Sequence, residues 1–450
     1  MLTAFFSAFR TPDLRKKILF TLFILGLYRF GAQIPSPGVS YANVQACLPD
    51  SDGGAGVFTL LNMFSGGALL QLSVFALGIM PYITASIILQ LLTVVIPRLE
   101  QLKKEGPAGQ AKITQYTRYL TLGLAVLQAS GYIALARSGQ LFGDNPKPVC
   151  KDIIADTAGN ETAGVPMWMT LTVVVSVMTA GTAVIMWFGE LITDRGVGNG
   201  MSVLIFASIA AQMPGQIWAI QQTEQNWFLF GGIIAIGIVI IALVVFIEQS
   251  QRRIPVQYAK RMVGRRMYGG TSTYIPLKVN QAGVIPLIFG SALLYIPMLI
   301  SQFYQNSSEP PAWVRWTNEY MQPGNPVYII AYFLLIIFFT YFYVSINFNP
   351  NDVADNMKKA GGFVPGVRPG KPTAQYLDRI LSRLTFPGSI YLAIISILPN
   401  IAIVVFGGSQ VFQQFPFGGA AVLIMVGVGL ESVKQIESQL MQRNYEGFLR

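Results

Sequence analysis

Residues 227–247 read WFLFGGIIAIGIVIIALVVFI and residues 327–346 read VYIIAYFLLIIFFTYFYVSI, and neither stretch contains a charged side chain. A bilayer has a hydrocarbon core about 30 Å thick, so a helix needs about 20 apolar residues to cross it. The whole chain of 450 residues is 52% hydrophobic and only 12% charged, which is unusual for a soluble domain. The sequence therefore predicts a polytopic membrane protein made of helices.

Ten apolar runs, bounded by polar or Pro- and Gly-rich segments, predict ten transmembrane helices. The second run follows a semi-apolar stretch, Val57–Leu72, that is too short and too interrupted by glycine to cross a membrane alone. Ten spans divide evenly into two sets of five, which allows an inverted repeat. The predicted spans lie near residues 18–36, 73–96, 115–136, 166–187, 199–213, 227–247, 283–303, 327–346, 385–406 and 418–434.

The net charge of +10 is distributed unevenly between the loops. Loops and tails on one side of the predicted membrane carry 26 of the 31 Lys and Arg residues, and those on the other side carry 4. Positive residues near span ends are retained in the cytoplasm, so both termini are predicted to be cytoplasmic. The remaining cation, Arg29, lies near the outer end of the first span, where its stem could extend toward the headgroups. No cleavage site follows this span, so we expect it to be retained.

Several kinds of chemistry are excluded by the residues present. The chain has no histidine, which removes Ser-His and Cys-His catalysis and His-ligated metals. GVRPGKPT at residues 366–373 departs from a phosphate loop in both spacing and its final residues, and GVGNG at residues 196–200 does not follow a strand. The spans also lack paired carboxylates, which argues against an intramembrane enzyme. We expect no cofactor and no metal, so any work must come from a partner or a gradient.

The two cysteines, Cys47 and Cys150, both fall in loops on the predicted outer side. Two cysteines do not form a disulfide framework, so the spacing leaves open whether they pair.

Two further patterns have both an ordinary and a functional interpretation. Ile79, Ile83, Ser86 and Gln90 recur at helical spacing in the second span, and Met201 and Ile205 form another aliphatic pair; such faces are usually helix packing. The cytoplasmic loops 249–282 and 347–383 are strongly basic. They could anchor the chain near anionic lipid or form a docking surface for RNA or an acidic partner.

Several long blocks of the sequence, in order along the chain, resemble one known family. These blocks are FSGGALLQLSVFALGIMPYI and TASIILQLL from Phe64, KKEGPAGQAKITQYTRY from Lys103, ITDRGVGNGMS from Ile192, PLKVNQAGVIPLIF from Pro276 and GGFVPGVRPGKPTAQYLDRI from Gly361. They are similar to the SecY/Sec61-alpha family of protein-translocation channels. The resemblance implies an all-α membrane protein with ten transmembrane helices in two inverted, pseudo-symmetric five-helix halves, 1–214 and 215–450, around a central hourglass pore with a plug helix.

The resemblance also assigns roles to residues by motif position. An aliphatic ring that narrows the pore would comprise Ile79, Ile83, Met201, Ile205, Ile288 and Ile424, with Met201 in place of the usual isoleucine. The plug, near residues 57–72, would include Phe58, Leu61, Met63, Phe64, Gly66 and Gly67. A lateral gate toward lipid would be lined by Thr84, Ser86 and Gln90. Docking of the motor or the ribosome would use Arg252, Arg253, Lys260, Arg261, Arg265, Arg266, Lys358, Lys359 and Arg368.

The function implied by this resemblance is a passive, gated channel in the bacterial inner membrane for unfolded secretory proteins and for membrane-protein helices. Its expected partners are SecE, SecG, the SecA ATPase, the ribosome, the signal sequence and translocating polypeptide, and membrane lipid. The alternative is a secondary transporter of a small solute, which would place a polar site at the midplane, whereas the ring predicted here is aliphatic.

Overall fold

The computed structural model describes residues 11–47, 62, 65–138, 153, 167–223, 227–258, 261–263, 266–268, 272–303, 311–321, 325–405 and 419–447. In chain order its elements are α1 (Pro12–Gly31), α2 (Tyr41–Cys47), α3 (Met80–Val95), α4 (Pro97–Lys104), α5 (Pro107–Ser138), α6 (Met167–Arg195), α7 (Gly200–Thr223), α8 (Trp227–Gln249), β1 (Gln251–Tyr258), β2 (Arg261–Val263), β3 (Arg266–Tyr268), β4 (Ser272–Lys278), α9 (Ile285–Phe303), α10 (Ala312–Tyr320), α11 (Pro326–Asn347), α12 (Pro350–Lys359), β5 (Gly362–Phe363), α13 (Lys371–Val405) and α14 (Gly419–Gly447).

Each of the ten predicted spans overlaps one of the long helices. Among the described residues, seven helices are long and apolar enough to cross a membrane, or eight if α3 and α4 form one broken span. Helix α1 falls outside that count because Arg15, Lys16, Lys17 and Arg29 all lie within it. The apolar part of α9, Ile285–Leu294, is short.

The second predicted span begins differently from the prediction. Helix α3 starts at Met80, and the preceding residues, from Ser65 to Ile79, form turns and an isolated bridge instead of a helix. Pro81 suits the first turn of α3, where an amide hydrogen would have no partner. The predicted start at residue 73 was therefore wrong, because the apolar run continues through a buried non-helical segment that has the composition of a span.

Helix α3 turns sharply into α4 at Ile96, where the two axes differ by 101°. Ile96 has an extended backbone conformation, as expected for a residue that precedes proline. Pro97 then starts α4, which has no buried residues.

The two basic loops fold together into one body. The sequence analysis had considered each loop separately. Strand β1 pairs antiparallel with β4, from Gln251↔Lys278 to Gln257↔Ser272, and with β5 at Tyr258↔Gly362. Because strand side chains alternate between two faces, Ile254 and Val256 point into an apolar cluster. The other buried members are Leu277, Met357, Val364, Leu377 and Ile380. The sequence analysis predicted no strands here.

The chain divides into two compact units, each described separately. The first comprises Met1–Trp227, Ser409–Pro416 and Val428–Arg450, and the second Phe228–Gly408 with Phe417–Gly427. Helix α14 contributes to both. The predicted boundary of the pseudo-symmetric halves, after residue 214, falls inside α7 and stays a prediction.

Candidate functional site

One face of α7 carries four of the residues that define the candidate site. Met201, Ile205, Ser208 and Gln212 recur every three or four residues, so they lie along one side of the helix. Ile205 and Ser208 are buried, at 8% and 1% exposure. On this face, the polar side chains of Ser208 and Gln212 therefore lie one and two turns beyond the predicted ring residue Ile205.

Those two polar side chains lie beside the segment predicted as the plug. The described part of this segment is Asn62 with Ser65–Leu72, and we call Asn62 with Ser65–Leu70 the plug loop. The loop is closed by its own hydrogen bonds: the Asn62 carbonyl accepts from the Gly67 amide at 2.9 Å and from Ser65 Oγ at 3.0 Å. Asn62 Oδ1 accepts from the Leu70 amide at 3.2 Å, and Ser65 Oγ accepts from the Leu69 amide at 3.0 Å. It is therefore a compact unit, and its residues Ser65–Leu70 form turns.

Helices α1 and α7 both donate hydrogen bonds to the plug loop. Gln212 Nε2 donates to the Asn62 carbonyl at 2.7 Å, and Arg29 Nη1 donates to the Gly66 carbonyl. Between them, the hydroxyls of Tyr28 and Ser208 lie 2.7 Å apart in a buried hydrogen bond. The interpretation of Arg29 as a residue extending to lipid headgroups is corrected, because its guanidinium binds the protein backbone.

The residues that follow the plug loop, Leu72–Phe75, are pinned by backbone contacts. The Ser36 amide donates to the Leu72 carbonyl at 3.1 Å, and the Val74 amide donates to the Ile34 carbonyl at 2.9 Å. Gly181 on α6 permits this close approach, since a Cβ there would lie 2.0 Å from the Val74 carbonyl oxygen. We call Leu72–Phe75 the stalk.

Both predicted plug glycines adopt conformations that other residues rarely reach. Gly66 and Gly67 have φ of 71° and 90°, in the left-handed region. The other predicted plug residues, Phe58, Leu61, Met63 and Phe64, lie outside the described residues.

The predicted ring residues are distributed over four helices and both units. Ile79 caps α3 and is 1% exposed, and Ile83 lies one turn further on. Met201 packs against α6 at Gly189, where a Cβ would lie 2.3 Å from its sulfur. In the second unit, Ile288 on α9 and Ile424 on α14 are 6% and 1% exposed. The closed ring stays a prediction.

The predicted gate residues all lie on α3. Thr84 is half-buried, and its hydroxyl donates to the Met80 carbonyl at 3.0 Å. Ser86 is half-buried and Gln90 is exposed. Their role at a lateral gate stays a prediction.

The predicted docking residues cluster on the sheet body of the second unit. Arg252 and Arg253 are exposed on β1, and the Arg253 guanidinium lies 4.9 Å above the Tyr274 ring. Lys358 and Lys359 are exposed at the end of α12, and Arg368 is exposed in the turn before α13. Because β5 pairs with β1, both predicted groups belong to one body. Lys260 and Arg265 lie outside the described residues, as do the side chains of Arg261 and Arg266.

The two glycine-rich motifs that were rejected as nucleotide-binding sites have structural roles. Asn199 of GVGNG accepts a hydrogen bond from the Met201 amide at 3.2 Å and so caps α7. The Val197 amide donates to Thr21 Oγ1 on α1 at 3.2 Å. In GVRPGKPT, Thr373 Oγ1 donates to the Arg368 carbonyl at 2.8 Å, which closes the turn that presents Arg368.

Sequence analysis missed one ion pair within the spans. Arg118 on α5 and Glu190 on α6 form a two-pronged pair, with Nε–Oε1 and Nη2–Oε2 both at 2.8 Å. The available signal was Arg118 itself, which lies inside the third predicted span. The charge count assigned Arg118 to the loop before that span, which is predicted to be cytoplasmic.

Comparison with known proteins identifies the family. The family model for SecY matches residues 73–433. The chain belongs to the SecY family. Among relatives called protein translocase subunit SecY, that of Streptomyces galbus is 63% identical and that of Mycobacterium bovis 60% identical, each over the full length of both chains.

The fold agrees with solved structures of this family at low sequence identity. A structure described as a protein-conducting channel has a TM-score of 0.62 at 18% identity, with 94% of this chain and 91% of that chain covered. A second, canine Sec61 in a ribosome-channel complex, has a TM-score of 0.59 at 17% identity with the same coverage. The SecY-family chain therefore has the fold of a protein-conducting channel.

Proposed function

We propose that this SecY-family chain is the polypeptide-conducting pore of a bacterial protein translocase, closed at rest by an aliphatic ring and the plug loop. The observation that carries the proposal is the single face of α7. Along that face, ring positions Met201 and Ile205 lead directly to Ser208 and Gln212, and Gln212 binds the plug loop. One helix would thus position two of the six ring residues and a hydrogen-bond donor to the plug loop.

The chemistry of a ring made only of aliphatic side chains suits a passive channel. A narrow apolar constriction excludes ions by dewetting, and it needs neither a bound charge nor a metal. Met201 preserves this property because a thioether is apolar and more adaptable than a branched side chain. A passing polypeptide would displace these side chains without breaking any polar contact of the ring.

The driving force would come from a partner at the basic sheet body. We propose that the SecA ATPase and the ribosome both dock there, with Arg368 presented by the turn that Thr373 closes. The apolar cluster beneath β1 gives the exposed cations a firm base. An acidic partner surface would complement these charges and accelerate association.

The remaining assignments complete the proposal. The chain would reside in the inner membrane with both termini cytoplasmic, as the distribution of Lys and Arg supports. SecE and SecG would accompany it, and Thr84, Ser86 and Gln90 would line an exit toward lipid for signal sequences and membrane-protein helices.

Reconstitution tests the proposal. We expect liposomes that contain the chain with SecE to protect a preprotein from added protease when SecA and ATP are supplied. Uptake of small solutes without peptide movement would instead support a secondary transporter.

A charge reversal tests the docking assignment separately. Arg368→Glu should reduce SecA-driven transport at least tenfold while assembly with SecE is unchanged, because the exposed cation would become a repulsive charge. Arg383→Glu, an exposed reversal further along on α13, is the matched control and should transport normally. Normal transport by Arg368→Glu would refute its role.

A further inference from the structure

We propose that Arg29 and Gln212, aligned by the Tyr28–Ser208 hydrogen bond, form a latch that holds the plug loop by its main-chain carbonyl groups and sets how often it opens. This inference deepens the proposed channel function and rests on it. It concerns positioning residues on α1 and α7, and none of them belongs to the predicted ring.

The latch contacts the main chain of the plug loop. Arg29 donates to the Gly66 carbonyl, and Gln212 donates to the Asn62 carbonyl at 2.7 Å. Both acceptors are peptide oxygens, so the contacts depend on the path of the loop and not on its side chains. The controlling side chains therefore lie on the helices.

A second hydrogen bond keeps the two donors in register. Ser208 Oγ donates to the Leu204 carbonyl at 2.9 Å and lies 2.7 Å from the Tyr28 hydroxyl, in a hydrogen bond in which either oxygen could be the donor. Arg29 follows Tyr28 directly, and Gln212 lies one turn beyond Ser208 on the same face of α7. Tying α1 to α7 at this point thus fixes the spacing of the two donors.

The plug loop and the stalk are held in different ways, so that the plug loop can move while the stalk stays fixed. The plug loop holds itself together through Asn62 and Ser65, while the stalk is pinned to residues 34–36 and to Gly181. Leu72, at the junction, has φ of 45°, a conformation that is unfavourable for a side chain with a Cβ. The loop can therefore leave as a unit by rotation near Leu72, once the contacts to α1 and α7 break.

The two main contacts of the latch are partly buried, and the Tyr28–Ser208 hydrogen bond beside them is fully buried. Tyr28 and Ser208 are each 1% exposed and Ser65 is 2% exposed. Breaking a buried hydrogen bond leaves polar groups unsatisfied, and a charged donor raises that cost. We therefore expect the latch to shift the balance between closed and open plug by about tenfold for each main contact.

Gly66 provides an independent way to disturb the latch from the other side. A Cβ at this position would lie 3.2 Å from Arg29 Nη1 and 3.4 Å from Ser208 Cα, and φ there is positive. Gly66→Ala should therefore displace the loop from α1 and α7 without changing either donor.

The test measures the closed state directly, as chloride leak from liposomes that contain the complete translocase purified from membranes. We expect Arg29→Gln to raise the leak about tenfold and Gln212→Leu to raise it about threefold to tenfold, with Gly66→Ala similar. Arg29→Lys, which keeps a charged donor, should stay near the wild-type leak. Since Gln212→Leu changes no charge, a rise there cannot reflect altered ion selectivity.

Matched controls separate the latch from general damage. Arg137→Gln removes an exposed cation near the outer end of α5, and Gln216→Leu repeats the amide substitution one turn along α7, where the Gln216 amide oxygen has no partner. Both should leak like wild type. A wild-type leak in Arg29→Gln and Gln212→Leu, or an equal rise in the controls, would overturn the latch.

Preprotein transport distinguishes the failure of the latch from the failure of the proposed function. Latch variants should still transport preprotein, because an open plug does not obstruct the pore. Leak accompanied by lost transport would indicate a damaged fold and would overturn the proposal. If wild type transports nothing, the channel function fails, while the leak contrast between Arg29→Gln and Arg137→Gln still decides the latch.

Discussion

The ion pair between α5 and α6 allows a quantitative test of polar packing within the spans. Arg118 and Glu190 make two parallel contacts of 2.8 Å, the geometry in which a guanidinium binds a carboxylate most strongly. We would replace each by methionine, alone and together, since methionine keeps the side-chain length and removes every polar contact.

The coupling free energy expected between Arg118 and Glu190 follows from the partial burial of both side chains. Breaking a fully buried pair costs about 3–5 kcal/mol, whereas an exposed pair contributes about 0–1 kcal/mol. The side chains of Arg118 and Glu190 are 40% and 25% exposed, so we expect a coupling free energy of about 1–2 kcal/mol between these limits. Each single substitution should be worse than the double one, because it leaves a lone charge within a span.

The measurement is a double-mutant cycle on the free energy of unfolding of the purified protein in mixed detergent micelles. Glu100 and Lys104 serve as the matched control pair. They lie 2.7 Å apart on α4 with side chains 51% and 70% exposed. The hydrogen bond from Lys104, and then its charge, lower the pKa of the Glu100 carboxyl, yet this exposed pair should show no measurable coupling. A coupling below about 0.5 kcal/mol for Arg118 and Glu190 would refute the argument.

Two further perturbations test the packing around the plug and the outer loops. Gly181→Ala should lower the free energy of unfolding in mixed detergent micelles by about 1–3 kcal/mol, because its Cβ would meet the Val74 carbonyl at 2.0 Å. Gly123→Ala, with nothing within 4 Å, should be neutral or slightly stabilising in the same measurement. Cys47 is disulfide-bonded, so Cys47→Ser should cost about 2–4 kcal/mol under non-reducing conditions. Reductant should then destabilise wild type and not the variant; a free Cys47 thiol in unreduced peptides would contradict this expectation.

The disulfide answers a question that the sequence left open. The only other cysteine in the chain is Cys150, which lies outside the described residues. Pairing depends on the distance between two loops that are far apart in sequence. That distance depends on tertiary contacts between the loops, such as the hydrogen bond from the Ser40 amide to the Ile153 carbonyl at 2.8 Å. It cannot be derived from the composition of the loops.

Helix positions could be predicted because membrane insertion depends mainly on local composition. Every predicted span overlaps a helix, and the clearest runs, such as Trp227–Gln249 and Pro326–Asn347, agree within two residues at each end. The start of the second span was wrong because apolar composition alone does not separate a helix from a buried turn. The positive φ of Gly78, 55°, indicated the difference only after the backbone was known.

The sequence alone determined that this chain is a multispanning membrane protein, and it predicted that the basic loops are cytoplasmic and that the chain has no fuel site, because hydrophobic length and charge placement are local properties read along the chain. Only the tertiary structure decided that the two basic loops share one sheet and that Arg29 and Gln212 converge on the plug loop. These contacts join residues far apart in sequence, and a hydrogen bond requires atoms to meet within about 3 Å, a condition that follows from how the helices pack.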